Sequence, residues 1–141
     1  MKNLTNCTPS EFLKQTNRVK KSAEKWLKET DIMNIRKRAA EMEPLSPDLD
    51  KDEAKARLGR NIEARDKQVM SNLSAMFDAI FEEHPNETLE LLALVCFVEP
   101  EDVDSHPINE YLKEISAMMG DESVIGFFTS LARWGVLNTQ N

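Results

Sequence analysis

The densest cluster of chemically capable side chains is Glu99-Pro100-Glu101-Asp102-Val103-Asp104-Ser105-His106. Asp102, Asp104 and His106 alternate as in the opening of a calcium loop, where donors at every second position converge on one cation. The pattern then fails. Pro107 stands where such a loop needs glycine, and Lys113 where it needs a bidentate glutamate. No metal site is expected, and the cluster reads as a solvated acidic loop that caps a helix. His84 and His106 adjoin proline turns and form no zinc-protease or nucleophile pair. Cys7, in a terminus expected to fray, and Cys96, in an apolar segment, make neither a disulfide framework nor a zinc signature. No glycine-rich loop cradles a phosphate. No catalytic residue, no cofactor and no enzymatic activity are expected.

Charge is distributed unevenly. Residues 1–70 hold sixteen Lys/Arg and twelve Asp/Glu, whereas residues 71–141 hold only Lys113 and Arg133 against thirteen acids. Lys14, Arg18, Lys21, Lys25 and Lys28 share a helical face, and Arg36-Lys37-Arg38 follows. A basic face of this kind is the footprint of nucleic-acid binding. Here Glu11, Glu24, Glu29 and Asp31 interrupt it in a chain of pI near 4.9, so a solvated face is the expectation. A nucleic-acid-associated regulatory protein that uses this arm is the alternative from another functional class.

The elements that must position these side chains are helices. Thr8-Pro9-Ser10-Glu11 places a hydroxyl at the N-cap, proline at the first helical position and glutamate at the third, a capping box. Phe12, Leu13, Thr16, Val19, Ala23, Trp26 and Leu27 continue at helical spacing. Asp31 reads as a second cap, with a helix over 32–42. Pro44-Leu45-Ser46-Pro47-Asp48 is a linker, a long helix is expected from about 51 to 83, and residues 44–66 are expected to be partly mobile or solvent-bridging. After a turn at 84–86, residues 87–99 read as a central helix, apolar on almost every side. A buried strand is the competing assignment there, disfavoured by the leucine and alanine content. A loop over 99–107, a helix stopped by Gly120 and a last helix ended by Gly135 complete the expectation. The fold class is all-α: a small helical bundle with an N-terminal basic helical arm (1–43), a polar connector and helix start (44–68), a bundle core (69–135) and a tail (136–141). The longest apolar run, Leu91–Val98, is far short of the ~20 residues that span a bilayer. Lacking a signal-peptide pattern, the chain is expected to stay in the cytoplasm where it is made.

The last helix carries more apolar surface than one packing stripe needs; bundle core is the favoured reading of the surplus, and otherwise Phe127 and Trp134 are candidate anchors for a second copy or another protein. Met118 and Met119, with Met70 and Met76, offer thioethers that repack easily around a partner.

Three stretches carry a family resemblance: Asn3 to Leu13; Trp26-Leu27-x-x-Thr30-Asp31-Ile32-Met-Asn-Ile35-Arg36-Lys-Arg38; and His84-Pro85-x-Glu87 to Leu94, with Phe97-Val98-Glu99-Pro100-Glu101-Asp102 after it. The chain resembles the small tail assembly chaperones of long-tailed phages and of prophages in Gram-positive bacteria. The resemblance implies a non-enzymatic helical protein of the host bacterial cytoplasm. It implies two partners: the long helical tape measure protein, which the chaperone coats and keeps soluble, and the tail tube protein, which it recruits. It also implies departure before the virion is complete, and often a longer form made by frameshifting near residues 136–141. A minor structural component of the virion is a further alternative.

Overall fold

The computed structural model describes residues 1–139, with side chains described through Leu131 and at Arg133. Six α-helices run in the order α1 (Pro9–Thr30), α2 (Ile32–Arg36), α3 (Lys51–Phe77), α4 (Pro85–Val95), α5 (Ile108–Met119) and α6 (Glu122–Thr139). A π-helical turn, Asp78–Glu83, continues α3, and a 3-10 turn, Pro100–Ser105, precedes α5. No strand occurs among the described residues, so the protein is an all-α helical bundle.

The chain divides into two compact units. The first comprises Met1–Trp26 and the chain from Asn86 onward; the second is Leu27–Pro85. These units cut across the expected segments at 1–43, 44–68, 69–135 and 136–141. The reason lies in α1, which is bonded to residues far along the chain. Gln15 Nε2 donates to the Leu94 carbonyl at 2.6 Å, the Arg18 guanidinium donates two parallel hydrogen bonds to the Glu99 carboxylate at 3.0 and 2.8 Å, and Trp26 Nε1 donates to Thr88 Oγ1 at 3.0 Å. The expected frayed N-terminus is tied in as well. Asn3, 2% exposed, donates its side-chain amide to Glu114 of α5, and its carbonyl oxygen accepts from the Thr5 amide at 2.7 Å.

Local chemistry sets the helix ends. Thr8 and Glu11 form the anticipated capping box: the Thr8 amide donates to Glu11 Oε1 at 3.1 Å and the Glu11 amide to Thr8 Oγ1 at 3.3 Å. The Lys2 ammonium, and then the Thr8 amide, hold the Glu11 carboxyl down at about 2. Its contribution is therefore present above the ordinary carboxylate range and is lost as pH falls toward about 2. Thr8→Ala should lower stability by about 1 kcal/mol. Lys2→Ala should raise the Glu11 pKa toward 4.5, measured by carboxyl NMR titration.

Several boundaries differ from expectation. The second helix ends at Arg36 instead of Met42. Asp31, with φ of 54°, makes no capping bond to the backbone; its carboxylate accepts the Asn34 side-chain amide at 2.7 Å. The following connector is held along α3. Asn72 Nδ2 donates to the Arg38 carbonyl at 2.9 Å, Asn61 pairs with both the amide and the carbonyl of Glu43 at 2.7 and 3.0 Å, and Arg57 reaches the Pro44 carbonyl at 3.0 Å. Backbone groups satisfied by side-chain amides have no need of a helix, so residues 38–44 form a strap in place of the expected helix up to Met42.

Residues 87–95 are helical, as expected over the strand alternative, but α4 begins at Pro85 and ends at Val95, short of residue 99. Its stop is a Schellman motif: the Val98 amide donates to the Ala93 carbonyl at 3.0 Å and the Phe97 amide to Leu94 at 3.3 Å. Phe97 takes the left-handed position at φ 58°, which glycine ordinarily fills. The acidic loop is wound into the 3-10 turn. α6 passes Gly135 and runs to Thr139, because one interior glycine costs only about 1 kcal/mol relative to alanine. No described helix is long and apolar enough to cross a membrane.

Candidate protein-binding groove

The first unit has a small core. Ala93 and Leu94 from the end of α4, Cys96 in the turn after it, and Tyr111 and Met118 from α5 are its buried apolar residues, and Gln15 and Ser22 of α1 are buried with them. Beside this core lies a cavity of about 360 Å³. α4 supplies Leu91, Leu92 and Val95 to its lining; α5 supplies Ile115, Met118 and Met119; α6 supplies Val124, Ile125 and Phe128. Leu4 of the N-terminal segment and Trp26 of α1 complete the apolar wall. Among the described residues the one polar side chain in the lining is Thr88, whose hydroxyl accepts the Trp26 indole N–H. A surface of this composition binds by burying apolar area, worth roughly 25 cal/mol per Å² removed from water. Its size sits at the lower end of ligand clefts, about 300–1,000 Å³.

The structure places three of the four residues singled out from sequence in different settings. Met118 is 9% exposed and forms part of the core and lining; Met119, beside it, lines the cavity while 69% exposed. Phe127 is 47% exposed and lies outside the lining. Its ring meets Phe12 edge-on at 6.0 Å and Phe128 at 5.5 Å, so it extends the aromatic wall of Phe128 onto α1. The Trp134 side chain lies outside the described residues. Trp26, Leu4 and the α4 leucines went unremarked as site residues. Helical periodicity marks them as inward-facing but does not separate a filled core from a groove.

Among the described residues, no group of three or more His, Cys, Asp or Glu is placed to hold a metal ion. Asp102 and Asp104 share the 3-10 turn, while His106 Nδ1 lies 2.7 Å from Glu110 Oε2 on α5. The basic face of α1 is partly engaged within the first unit: Arg18 with Glu99 and Lys25 with Glu90 at 3.5 Å. Cys96 is 1% exposed, and burial, followed by the Glu114 carboxylate, pushes its thiol up to about 11. Cys7 is half-buried, its sulfur 3.9 Å from the Leu4 carbonyl. In the folded protein at pH 8, an aromatic disulfide reagent should therefore titrate one thiol, assigned to Cys7 by mass spectrometry. Denaturant should release the second.

No protein-family model matches this chain, and no curated protein or solved structure is significantly similar to it.

Proposed function

We propose that this protein is a tail assembly chaperone of a long-tailed phage or prophage, acting in the host bacterial cytoplasm. It covers the apolar face of the helical tape measure protein and helps recruit tail tube subunits. The observation that carries this reading is the groove between α4, α5 and α6, walled by apolar side chains with Thr88 as the one polar member among the described residues. A tape measure helix with a bare apolar stripe aggregates unless a partner covers it. Met118 and Met119 give the groove walls that reshape around side chains of different size. Eleven more acids than cations in residues 71–141 would keep such a complex soluble. The stretches quoted above, at 3–13, 26–38 and 84–102, support the same family.

Co-expression with a helical fragment of the tape measure protein tests the proposal. That protein is expected to be encoded beside this gene by a very long reading frame rich in helix formers. The wild-type chain should keep the fragment soluble and co-elute with it. Met119→Glu with Ile125→Glu, which places two charges on the groove wall, should weaken the complex at least tenfold, about 1.4 kcal/mol. Far-ultraviolet circular dichroism should stay unchanged. Full retention of binding by a folded double variant would remove the groove from the mechanism. Aggregation of the fragment with the wild-type chain present would remove the chaperone reading itself.

A further inference from the structure

We propose that two copies of this chain associate through α3, antiparallel and crossing near Leu73. This goes beyond the chaperone reading and does not depend on it.

The second unit buries little apolar surface on α3. Ile62, Val69, Leu73 and Phe77 are about half exposed or more, and Phe81 on the π-helical turn continues the exposed row. Phe77 is 64% exposed, its ring 5.1 Å from that of Phe81. On the same helix Val69, Asn72, Leu73 and Met76 surround a recess of about 200 Å³, with Arg36 at its edge. These four stand at positions i, i+3, i+4 and i+7, the diamond that receives one side chain of a facing helix in knobs-into-holes packing. Asn72, 8% exposed, fixes the inner corner through its bond to the Arg38 carbonyl.

Self-complementarity points to a second copy as the occupant. A two-fold contact requires each patch to match itself, so residue i meets j and j meets i. Leu73 is at once a corner of the hole and a side chain 47% exposed. When two antiparallel helices cross there, each Leu73 enters the other's hole. Val69 and Phe77, four residues to either side, then meet reciprocally.

Charge selects the antiparallel direction. From 60 to 72 the chain carries Arg60, Arg65 and Lys67 against Glu63 and Asp66. From 74 to 86 it carries Asp78, Glu82 and Glu83 with no Lys or Arg. Arg60 is already paired with Glu43 and Glu53, and Lys67 with Glu63, so the first half is near neutral, at +1. Antiparallel pairing sets this half over the acidic one and opposes the helix dipoles, whereas parallel pairing sets acid against acid.

The test is sedimentation equilibrium of the full chain from low to high micromolar concentration, with cysteine cross-linking in a Cys7→Ser background. The wild-type chain should dimerise. Leu73→Asp should weaken the dimer at least tenfold while its circular dichroism stays helical. Mixing Val69→Cys with Phe77→Cys chains should give the mixed disulfide between the two, since only antiparallel pairing brings those positions within disulfide reach. Should Leu73→Asp lose its helix, the cross-link pattern decides alone. A wild-type chain monomeric throughout overturns the proposal. So does an undiminished dimer in folded Leu73→Asp, or a Val69→Cys chain that links mainly to itself.

Discussion

Tyr111→Ala is expected to destabilise the first unit by about 3–5 kcal/mol, the range for losing a large buried aromatic side chain. Tyr111 is 1% exposed on α5, and its hydroxyl donates to the Val103 carbonyl at 2.6 Å. It therefore joins the 3-10 turn to α5 while filling the core, and its ring also meets His106 edge-on at 6.0 Å. Tyr111→Phe separates the two roles. It keeps the ring and loses the hydroxyl bond, for an expected cost of about 1–3 kcal/mol. Urea denaturation measures both. A shift in midpoint at constant slope reports stability, whereas a changed slope reports lost cooperativity. Equal effects from the two variants would assign the whole contribution to the hydrogen bond.

The second large effect is expected at Gln15. Its side-chain amide is buried inside α1 and donates to the Leu94 carbonyl, at the end of α4 where the backbone turns through Phe97. Gln15→Ala should cost about 1–3 kcal/mol, because a buried polar contact is lost with nothing to replace it. Arg18, one turn further along the same helix, has the more conspicuous contact, a bidentate ion pair with Glu99. Both groups of that pair face solvent, so Arg18→Ala should cost only about 0–1 kcal/mol. Thermal unfolding of the two variants side by side checks the order. A larger loss at Arg18 would mean that the exposed pair, and not the buried amide, joins α1 to α4.

These contacts also explain how much of the fold was legible. The start of α1 was readable because its information is local: Thr8 and Glu11 lie three residues apart and bond to each other. Pro85 and Pro100 marked breaks in the helical pattern, although Pro85 was read as a turn before a helix at Glu87 and residues 99–107 as a loop; the helical class of α4 followed from composition. The strap after Arg36 was not readable. It depends on Asn61 and Asn72, which reach back 18 and 34 residues to Glu43 and Arg38, and nothing near residue 40 announces them. The anchoring of Asn3 by Glu114, 111 residues away, was hidden in the same way. For the candidate site, the thioethers Met118 and Met119 were found from residue type. The groove was not, because leucine on α4 has one periodicity whether its neighbours close over it or leave a cleft.

The discontinuity of the first unit has a consequence for the order in which the chain can take shape during synthesis. The second unit is one uninterrupted stretch, Leu27–Pro85, whereas the first waits for partners from both ends of the sequence. Gln15 emerges from the ribosome 79 residues before the carbonyl it binds, and Asn3 precedes Glu114 by 111. At a translation speed of about 5–20 residues per second, that leaves roughly 5–20 seconds in which α1 is made but unmatched. Its apolar side chains Phe12 and Trp26 stay uncovered by Phe128 and Thr88 for that interval. The α3 segment is complete by then, so a contact between nascent neighbours through α3 has time to form before the groove exists.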